Sequence, residues 1–572
     1  MSSFLFRWRL ISLGVLFSFS ASVAQYVDDI LTNELDQHSF REVIITFRQP
    51  RLEVDRRWSK TLKGSAVYHQ LKKAAETVQA PTQAYLRYRQ LPYTSYTVAN
   101  ALWCRIDRTA LSWLMSQEDI LFIEANPTLY LRAPTTTALS LREEQTTWGI
   151  TKIKADSVWA QGYRGKGVVV GGQDTGIEWD NPYLKAAYRG WDGQKVNHNY
   201  HWYDAIHSIS PLNQDSLNPC GLDVKEPCDD DDHGTHTVGT MVGKQDELTI
   251  GVAPEAKFIG CRCMERGWGS PQTYLECFEW FLAPRDTDGL NPNPSLAPDV
   301  INNSWGCPFI EGCDQSNFQV LNQAVINLKA AGIVVVASAG NSGPGCFTVN
   351  DPAAMFEAAF SVGAIRPSDT IASFSSRGPV TIDGSNRFKP NISAPGVRVT
   401  STLVGGILAD WNGTSMSGPH VAGAVALLLN AVPELRGQVE EIEQLLETTA
   451  RPMTDEQSCA SIRGTERPNA LYGYGIIDVQ AAILAAKKSH TEETSHAILL
   501  TIYPNPTSGS LLVQDVAPGS MFRLFDVHGR QVMKQICYAN TCPLDLNGLL
   551  PGFYYLQMTR GNSVKSAKIV KI

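Results

Sequence analysis

A run of small residues leads into an apolar helix pattern, and a serine stands at the junction. Residues 413–423 read Gly-Thr-Ser-Met-Ser-Gly-Pro-His-Val-Ala-Gly, and residues 424–429 are all apolar. This pattern predicts a tight turn that opens a buried helix, with Ser415 in its first turn. The unpaired N–H groups and the dipole at a helix N-terminus favour negative charge. A serine there can therefore attack a carbonyl while its own N–H helps to hold the oxyanion, although Ser415 could equally be a simple helix cap.

Two upstream motifs supply the base and the carboxylate that a serine nucleophile requires. His233 opens the sequence His-Gly-Thr-His-Thr-Val-Gly-Thr, and Asp174 opens Asp-Thr-Gly shortly after the apolar residues 168–170. With its three motifs in the order Asp, His, Ser, the chain resembles the subtilase family of serine peptidases. The intervening stretches resemble the bacillopeptidase F-like branch of that family. The resemblance implies that Ser415 is the nucleophile, His233 the general base and Asp174 the carboxylate that orients it.

Three further segments resemble the parts of a subtilase that hold the substrate. Residues 300–306 resemble one wall of the substrate pocket, and residues 332–343 resemble the opposite wall together with the oxyanion-hole loop, in which Asn341 is the expected donor. Residues 348–353 are expected to form the base of the pocket. The substrate-binding residues implied by this resemblance are Ser304, Trp305, Gly306, Asn350 and Asp351. If Asp351 points inward, it predicts selection of a basic side chain.

The same residues allow two other kinds of site. Asp-Thr-Gly is also the signature of aspartic peptidases, but those enzymes need a second carboxylate motif, and none occurs in this chain. His233 and His236 would face the same way on a helix, beside the acidic run Asp229–Asp232, which raises a metal site as an alternative. The family resemblance instead gives His236 a structural role. It implies no cofactor for the chemistry and allows structural calcium, for which the sequence identifies no site.

The pattern of apolar segments between residues 143 and 488 predicts the fold of the catalytic part. Short, nearly continuous apolar runs alternate with helical patterns, which is typical of a parallel sheet covered on both faces. We therefore expect an α/β domain, with the active residues at strand ends. The predicted strands are 168–170, 258–259, 300–301, 333–336 and 360–362, and the predicted helices include 316–330 and 421–429.

Two segments precede the catalytic part. Residues 1–24 combine early arginines, a short apolar core and small residues before Gln25, which predicts a secretory signal peptide. Residues 25–142 give a βαββαβ-like pattern with a helix interrupted at Pro81. An α+β unit directly upstream of a subtilase domain resembles the inhibitory propeptide of that family. The alternative is an independent adhesive domain.

The composition changes again after the catalytic part. Residues 489–497 are polar and are expected to form a linker, after a last helix that ends at Lys488. Residues 498–572 contain short alternating strands separated by glycines, which predicts a small all-β sandwich. This module resembles the C-terminal sorting domains of type IX secretion substrates. The alternative is a carbohydrate-binding or adhesive module.

Length, charge and cysteine content limit the overall function. A chain of 572 residues with net charge -8 is too long for one domain and has no basic block that would favour nucleic acid. We predict a protease made as a zymogen and exported through the periplasm, secreted or attached to the cell surface, without a transmembrane segment. Its expected partners are protein or peptide substrates, its own propeptide as inhibitor, and the type IX secretion machinery. The alternatives are a catalytically inactive surface-binding protein on the same scaffold and a metalloenzyme.

Twelve cysteines in an exported chain predict disulfides. Close spacing makes three local pairs natural, whereas two further pairings remain guesses from sequence alone, with one thiol of the catalytic part left over. The local pairs are Cys220/Cys228, Cys307/Cys313 and Cys537/Cys542; the other two are Cys346/Cys459 and Cys277 with either Cys261 or Cys263.

Overall fold

The computed structural model shows two compact units, 1–483 and 484–572, which are described separately. The residues it describes are 26–131, 134–137, 146–210, 212–213, 217–306, 318–496, 501–514, 516–527, 529–560 and 563–572. The expected signal peptide and the Cys307/Cys313 pair lie outside the described residues. No helix among the described residues is long and apolar enough to cross a membrane.

The N-terminal part of the first unit is an α+β layer built on a five-stranded sheet. The sheet has the order β1-β5-β2-β4-β3. The long helical pattern expected from the sequence is divided into two helices, and Pro81 lies in the first turn of the second helix. The predicted βαββαβ pattern is present from the second strand onward. The elements are β1 (Tyr26–Val27), α1 (Asp29–Gln37), β2 (Arg41–Phe47), α2 (Lys60–Val78), α3 (Ala80–Tyr88), β3 (Tyr93–Tyr96), β4 (Ala101–Ile106), α4 (Arg108–Leu114), β5 (Ile120–Ala125), β6 (Leu129–Tyr130) and β7 (Thr135–Thr137).

The catalytic part is built on a seven-stranded sheet with the order β17-β16-β15-β14-β8-β12-β9, in which every neighbouring pair is parallel. This confirms the predicted α/β class. Its strands are β8 (Val169–Asp174), β9 (Trp202–Asp204), β10 (Lys244–Gln245), β11 (Leu248–Thr249), β12 (Lys257–Arg262), β13 (Trp268–Gly269), β14 (Val300–Asn303), β15 (Val334–Ser338), β16 (Phe360–Ile365), β17 (Ile392–Pro395), β18 (Val399–Thr402) and β19 (Leu408–Asn412). Its helices are α5 (Trp148–Lys152), α6 (Ala155–Trp159), α7 (His233–Val242), α8 (Pro271–Leu282), α9 (Gln319–Ala330), α10 (Thr414–Ala431), α11 (Val439–Thr449) and α12 (Val479–His496).

The strand order explains why distant parts of the sequence meet. After β8, the chain adds β12 on one side of this strand and later adds β14 on the other side. The direction in which strands are added therefore reverses at β8. Loops that leave the carboxyl ends of parallel strands on the two sides of such a point form a crevice. Asp174 ends β8, residues 304–306 follow β14, and Asn341 follows β15. Asp174, residues 304–306 and Asn341 therefore lie at one edge of one sheet.

The N-terminal α+β layer shares a hydrophobic core with the catalytic part. Val67 and Leu71 of α2 and Val98 of the β3–β4 turn belong to the same buried cluster as Phe278 of α8 and Leu321 of α9. Burying apolar surface is the main favourable contribution to such an association. The layer is therefore packed onto two helices of the catalytic part.

The C-terminal unit consists of two antiparallel sheets, as the alternating pattern predicted. Their orders are β20-β21-β24 and β23-β22-β25-β26, and they enclose a separate core that includes Phe522 and Leu556. Helix α12 runs to His496, so the predicted helix end at Lys488 is wrong: residues 489–496 contain no proline or glycine that would end a helix. The strands are β20 (Ile502–Tyr503), β21 (Ser510–Val513), β22 (Ser520–Phe525), β23 (Gln531–Cys537), β24 (Cys542–Asp545), β25 (Gly552–Arg560) and β26 (Ser563–Lys571).

Four disulfides connect the described cysteines. They join Cys220 to Cys228, Cys261 to Cys277, Cys346 to Cys459 and Cys537 to Cys542. The partner of Cys277 is thus Cys261, and Cys263 remains a buried thiol, as does Cys104 of the N-terminal layer. The disulfide prediction is confirmed for these pairs.

Candidate active site

Asp174 and His233 form a buried, directly hydrogen-bonded pair. Asp174 is the last residue of β8, and His233 is the first residue of α7. The Nδ1 atom of His233 lies 2.6 Å from Oδ1 of Asp174. The close approach of helix and strand requires Gly234, because a Cβ there would lie 1.9 Å from the carbonyl oxygen of Gly176. The His-Gly dipeptide of the motif thus serves both the chemistry and the packing.

The surroundings of His233 favour its protonated form. Burial alone would lower the pKa of the imidazole, but the charge and hydrogen bond of Asp174, with further contributions from Asp231 and Asp229, leave the pKa raised above its ordinary value. The Nε2 atom is buried and has no hydrogen-bond partner among the described residues. With Asp174 on Nδ1, the neutral ring would carry its proton there, and Nε2 would be free to accept one.

Ser415 is the second residue of α10, as the sequence pattern predicted. Its Oγ donates to the carbonyl oxygen of Ser304 at 3.2 Å, and it makes no hydrogen bond with His233 Nε2. The first turn of α10 is held from two strand ends. Ser304 Oγ donates to the carbonyl of Ser415 at 3.0 Å, and Ser338 Oγ donates to that of Thr414 at 2.8 Å.

Asn341 is oriented toward the first turn of α10. Its Oδ1 accepts from the backbone N–H of Thr414 at 2.9 Å and from the Thr414 hydroxyl at 3.0 Å. Because these bonds use the carbonyl end of the amide, the NH₂ end remains as a donor. Asn341 and Ser415 line the same cavity.

Replacing Asn341 by alanine is expected to lower kcat for peptide hydrolysis by about 10²–10³ with a smaller change in KM. The side chain would donate chiefly when negative charge develops on the substrate oxygen, so its loss raises the energy of the transition state more than that of the bound substrate. Steady-state kinetics with one peptide substrate measures both constants. A change confined to KM would show that Asn341 only shapes the pocket.

The expected pocket residues are only partly assembled around this cavity. It lies between residues 304–306 and 338–342, with Asp351 among its lining residues and Asn350 outside it. A role of Asn350 in substrate binding stays a prediction. Trp305 contributes through its backbone segment, because its indole is buried and stacks on Tyr274 with ring centres 3.8 Å apart.

The residues considered above for a metal site, His236 and the acidic run, make other contacts in the structure. His236 stacks on Trp411 with ring centres 4.5 Å apart, and burial and the neighbouring His233 lower its pKa to about 3. Asp229 accepts from both the backbone N–H and the hydroxyl of Thr235, at 2.8 and 2.7 Å. Asp230 pairs with Arg262. Among the described residues, no group of three or more His, Cys, Asp or Glu side chains is arranged to hold a metal ion.

Some supporting residues were not anticipated from the sequence. Thr175 donates from its hydroxyl to Asp229 at 2.8 Å and accepts from the N–H of Gly234 at 3.0 Å, so it joins the strand end to the start of α7. Ser338 plays a comparable part for α10. Both residues lie inside the motifs already singled out, and a small hydroxyl residue within each motif was the available signal.

Comparisons with known proteins agree with this geometry. Residues 165–475 match the model of the Subtilase family, and residues 501–572 match that of the secretion system C-terminal sorting domain. Bacillopeptidase F of Bacillus subtilis (strain 168) is 39% identical over 350 residues, which cover 59% of this chain and 22% of that protein. Subtilisin DY of Bacillus licheniformis is 34% identical over 339 residues, covering 59% of this chain and 97% of that protein.

These matches confirm the resemblance of the catalytic part to subtilases and of the C-terminal module to sorting domains. The sorting-domain match indicates that the chain is exported, either secreted or attached to the cell surface. The subtilase match includes Asp174, His233, Asn341 and Ser415 within its limits and extends over more than half of the chain. The chain therefore belongs to the subtilase family of serine proteases.

Proposed function

We propose that this protein is an exported endopeptidase that hydrolyses peptide bonds of proteins through Asp174, His233 and Ser415. The observation that carries the proposal is the buried 2.6 Å contact between Asp174 and His233, whose Nε2 is left for the serine. Aspartate on one ring nitrogen and serine on the other is the arrangement that activates a hydroxyl nucleophile.

The reaction begins with a rotation of the Ser415 side chain from the Ser304 carbonyl toward His233 Nε2. Ser415 Oγ then attacks the substrate carbonyl while Nε2 takes its proton, and Asp174 stabilises the imidazolium that forms. The oxyanion accepts from the N–H of Ser415 and from the Asn341 amide. His233 next protonates the leaving amine, which produces the acyl-enzyme. A water molecule, activated by the same histidine, releases the acid and restores Ser415.

We further propose that residues 25–142 are an inhibitory propeptide. Its strand β6 pairs antiparallel with β13, and the N–H of Leu131 donates to the carbonyl of Gly267 at 2.7 Å. Tyr130 and Leu131 line the same cavity as Ser415. A strand paired beside the nucleophile occupies the place that a substrate strand would need, so this segment blocks the site.

Buried polar contacts support the docking of this propeptide. Glu124 accepts from the N–H of Gln319, the first residue of α9, at 2.9 Å, and burial raises its pKa to about 8. Glu279 of α8 accepts from the N–H of Val98 at 2.6 Å, and Asn327 donates to the Val98 carbonyl at 2.7 Å. Both helices of the catalytic part are thus bonded to the N-terminal layer, which supports a specific complex.

Inhibitor profiles of the exported, matured protein test the proposed chemistry. A fluorophosphonate is expected to abolish hydrolysis of a denatured protein substrate, because it modifies an activated serine. The zinc chelator 1,10-phenanthroline is expected to leave the rate unchanged. The reverse result would favour the metalloenzyme alternative, and a folded protein without hydrolytic activity would favour the surface-binding one.

Removing residues 498–572 is expected to retain the protein in the periplasm of its native host, with loss of nearly all extracellular activity. The deleted module has a core of its own and contains none of the proposed catalytic residues. Cell fractionation with antibody detection measures the distribution. The full-length Ser415→Ala chain is the control, since it should be exported without being active. Normal export of the truncated chain would contradict the assignment of residues 498–572 as the sorting signal.

A further inference from the structure

One charged residue lies in the cavity beside Ser415. The cavity has a volume of about 70 Å³, and Asp351 is the only charged side chain among its described lining residues. Asp351 is buried, with 7% of its surface exposed. A carboxylate in such a position strongly discriminates between the side chains that can enter.

The carboxylate lies between the two walls of the cavity, and glycines face it from both sides. A Cβ built on Gly306 would lie 3.2 Å from Asp351 Oδ2, and a Cβ built on Gly340 would lie 3.2 Å from the same atom. Gly306 follows β14 and Gly340 follows β15, so each wall contributes one of these residues. Without side chains at these two positions, a long substrate side chain can pass between the walls and reach the carboxylate.

The pairing of the propeptide gives a second, independent indication. Tyr130 pairs with Trp268 in register, and farther along the chain Thr135 pairs with Asn412, three residues before Ser415. Leu131, the residue after Tyr130, lines the cavity that contains Ser415. The residue that follows Leu131 in the sequence is Arg132, the first basic residue after Arg108.

We propose that Asp351 makes this protease select arginine or lysine on the amino side of the cleaved bond, and that the first cleavage during its own maturation falls inside the propeptide of residues 25–142, at the Arg132–Ala133 bond. This inference rests on the proposed peptidase function. A guanidinium can form two parallel hydrogen bonds with a carboxylate, which adds geometric selectivity to the charge attraction. Neutral side chains would leave the carboxylate without this interaction.

The test uses the matured wild-type enzyme and peptide substrates that differ only in the residue before the scissile bond. We expect kcat/KM for arginine to exceed that for phenylalanine by about 100-fold or more. The isosteric variant Asp351→Asn should lose most of this ratio, mainly through slower cleavage after arginine. Asp351→Glu should keep a preference for basic residues. Glu357→Gln is the matched control, because it removes one carboxylate charge from an exposed side chain and should leave the ratio unchanged.

Three further measurements distinguish a wrong specificity proposal from a wrong peptidase assignment. Fluorophosphonate titration counts active sites, so an inactive preparation, which would contradict the proposed function, is distinguished from an active enzyme with another specificity. Benzamidine should inhibit the wild type competitively, and neutral benzamide should not, which requires no variant. Mass spectrometry of the first maturation product should find Ala133 at its N-terminus. A wild type that prefers phenylalanine, a preference for arginine that survives Asp351→Asn, or a first cleavage after a non-basic residue would overturn the proposal.

Discussion

Replacing Ser415 by alanine is expected to lower kcat for peptide hydrolysis by about 10⁶. The substitution removes the oxygen atom that forms the acyl-enzyme. Without it, the Asn341 amide and the substrate pocket lower the activation barrier only slightly. Because the propeptide strand ends beside Ser415, we also expect the variant to retain the propeptide if maturation is autocatalytic. Hydrolysis rates and the mass of the exported chain measure the two effects.

The matched control for this variant is Ser342→Ala, since Ser342 lines the same cavity but has no proposed part in the chemistry. It should mature and keep activity within about tenfold of the wild type. A Ser415→Ala protein that hydrolyses peptides at a near-normal rate would refute the acyl-enzyme mechanism.

Replacing Asp174 by asparagine is expected to lower kcat by about 10⁴. The amide can present its NH₂ group to His233 Nδ1, which would place the ring proton on Nε2, where the base must be unprotonated. The variant cannot mature itself efficiently, so its propeptide should be removed by tagged wild-type enzyme that is then withdrawn. Asp383→Asn is the control, because Asp383 bonds to Ser385 and Arg387 away from the site.

For Asp174→Asn we also predict the direction in which the pH dependence of activity shifts. His233 acts as a base when neutral, so activity should rise with pH through the pKa of His233, which lies above its ordinary value. Asp174 is the main cause that raises this pKa, and asparagine carries no charge. The acid limb of the kcat/KM profile should therefore move to lower pH in Asp174→Asn. A limb that stays in place or moves to higher pH would contradict the assignment of His233 as the base that Asp174 controls.

The positions of the catalytic residues could be predicted because each lies at the boundary of a strongly patterned element. Apolar residues before Asp174 and after Ser415 indicated a buried strand and a buried helix, and both are present. The two glycines before Gln173 make the sequence of β8 less apolar than a buried strand usually is. They are nevertheless buried in the strand, because parallel pairing with β12 and β14 on both sides satisfies its backbone.

What remained beyond prediction depends on side-chain geometry between distant segments. Sequence spacing could not decide between Cys261 and Cys263 as partner of Cys277, because residues two apart on a strand share a face. The bond of Ser415 to the Ser304 carbonyl depends on loop paths that no periodicity encodes.

Labelling the matured wild-type protein with a fluorophosphonate and mapping the adduct by peptide mass spectrometry tests whether Ser415 is an activated nucleophile. We expect one phosphonyl group per molecule, on Ser415, with activity lost in proportion to labelling. We also expect that heat-denatured protein is not labelled, because the reactivity depends on the folded arrangement of His233 and Asp174. Absence of labelling in an active preparation, or stoichiometric labelling at another residue, would contradict the assignment of Ser415 as the nucleophile.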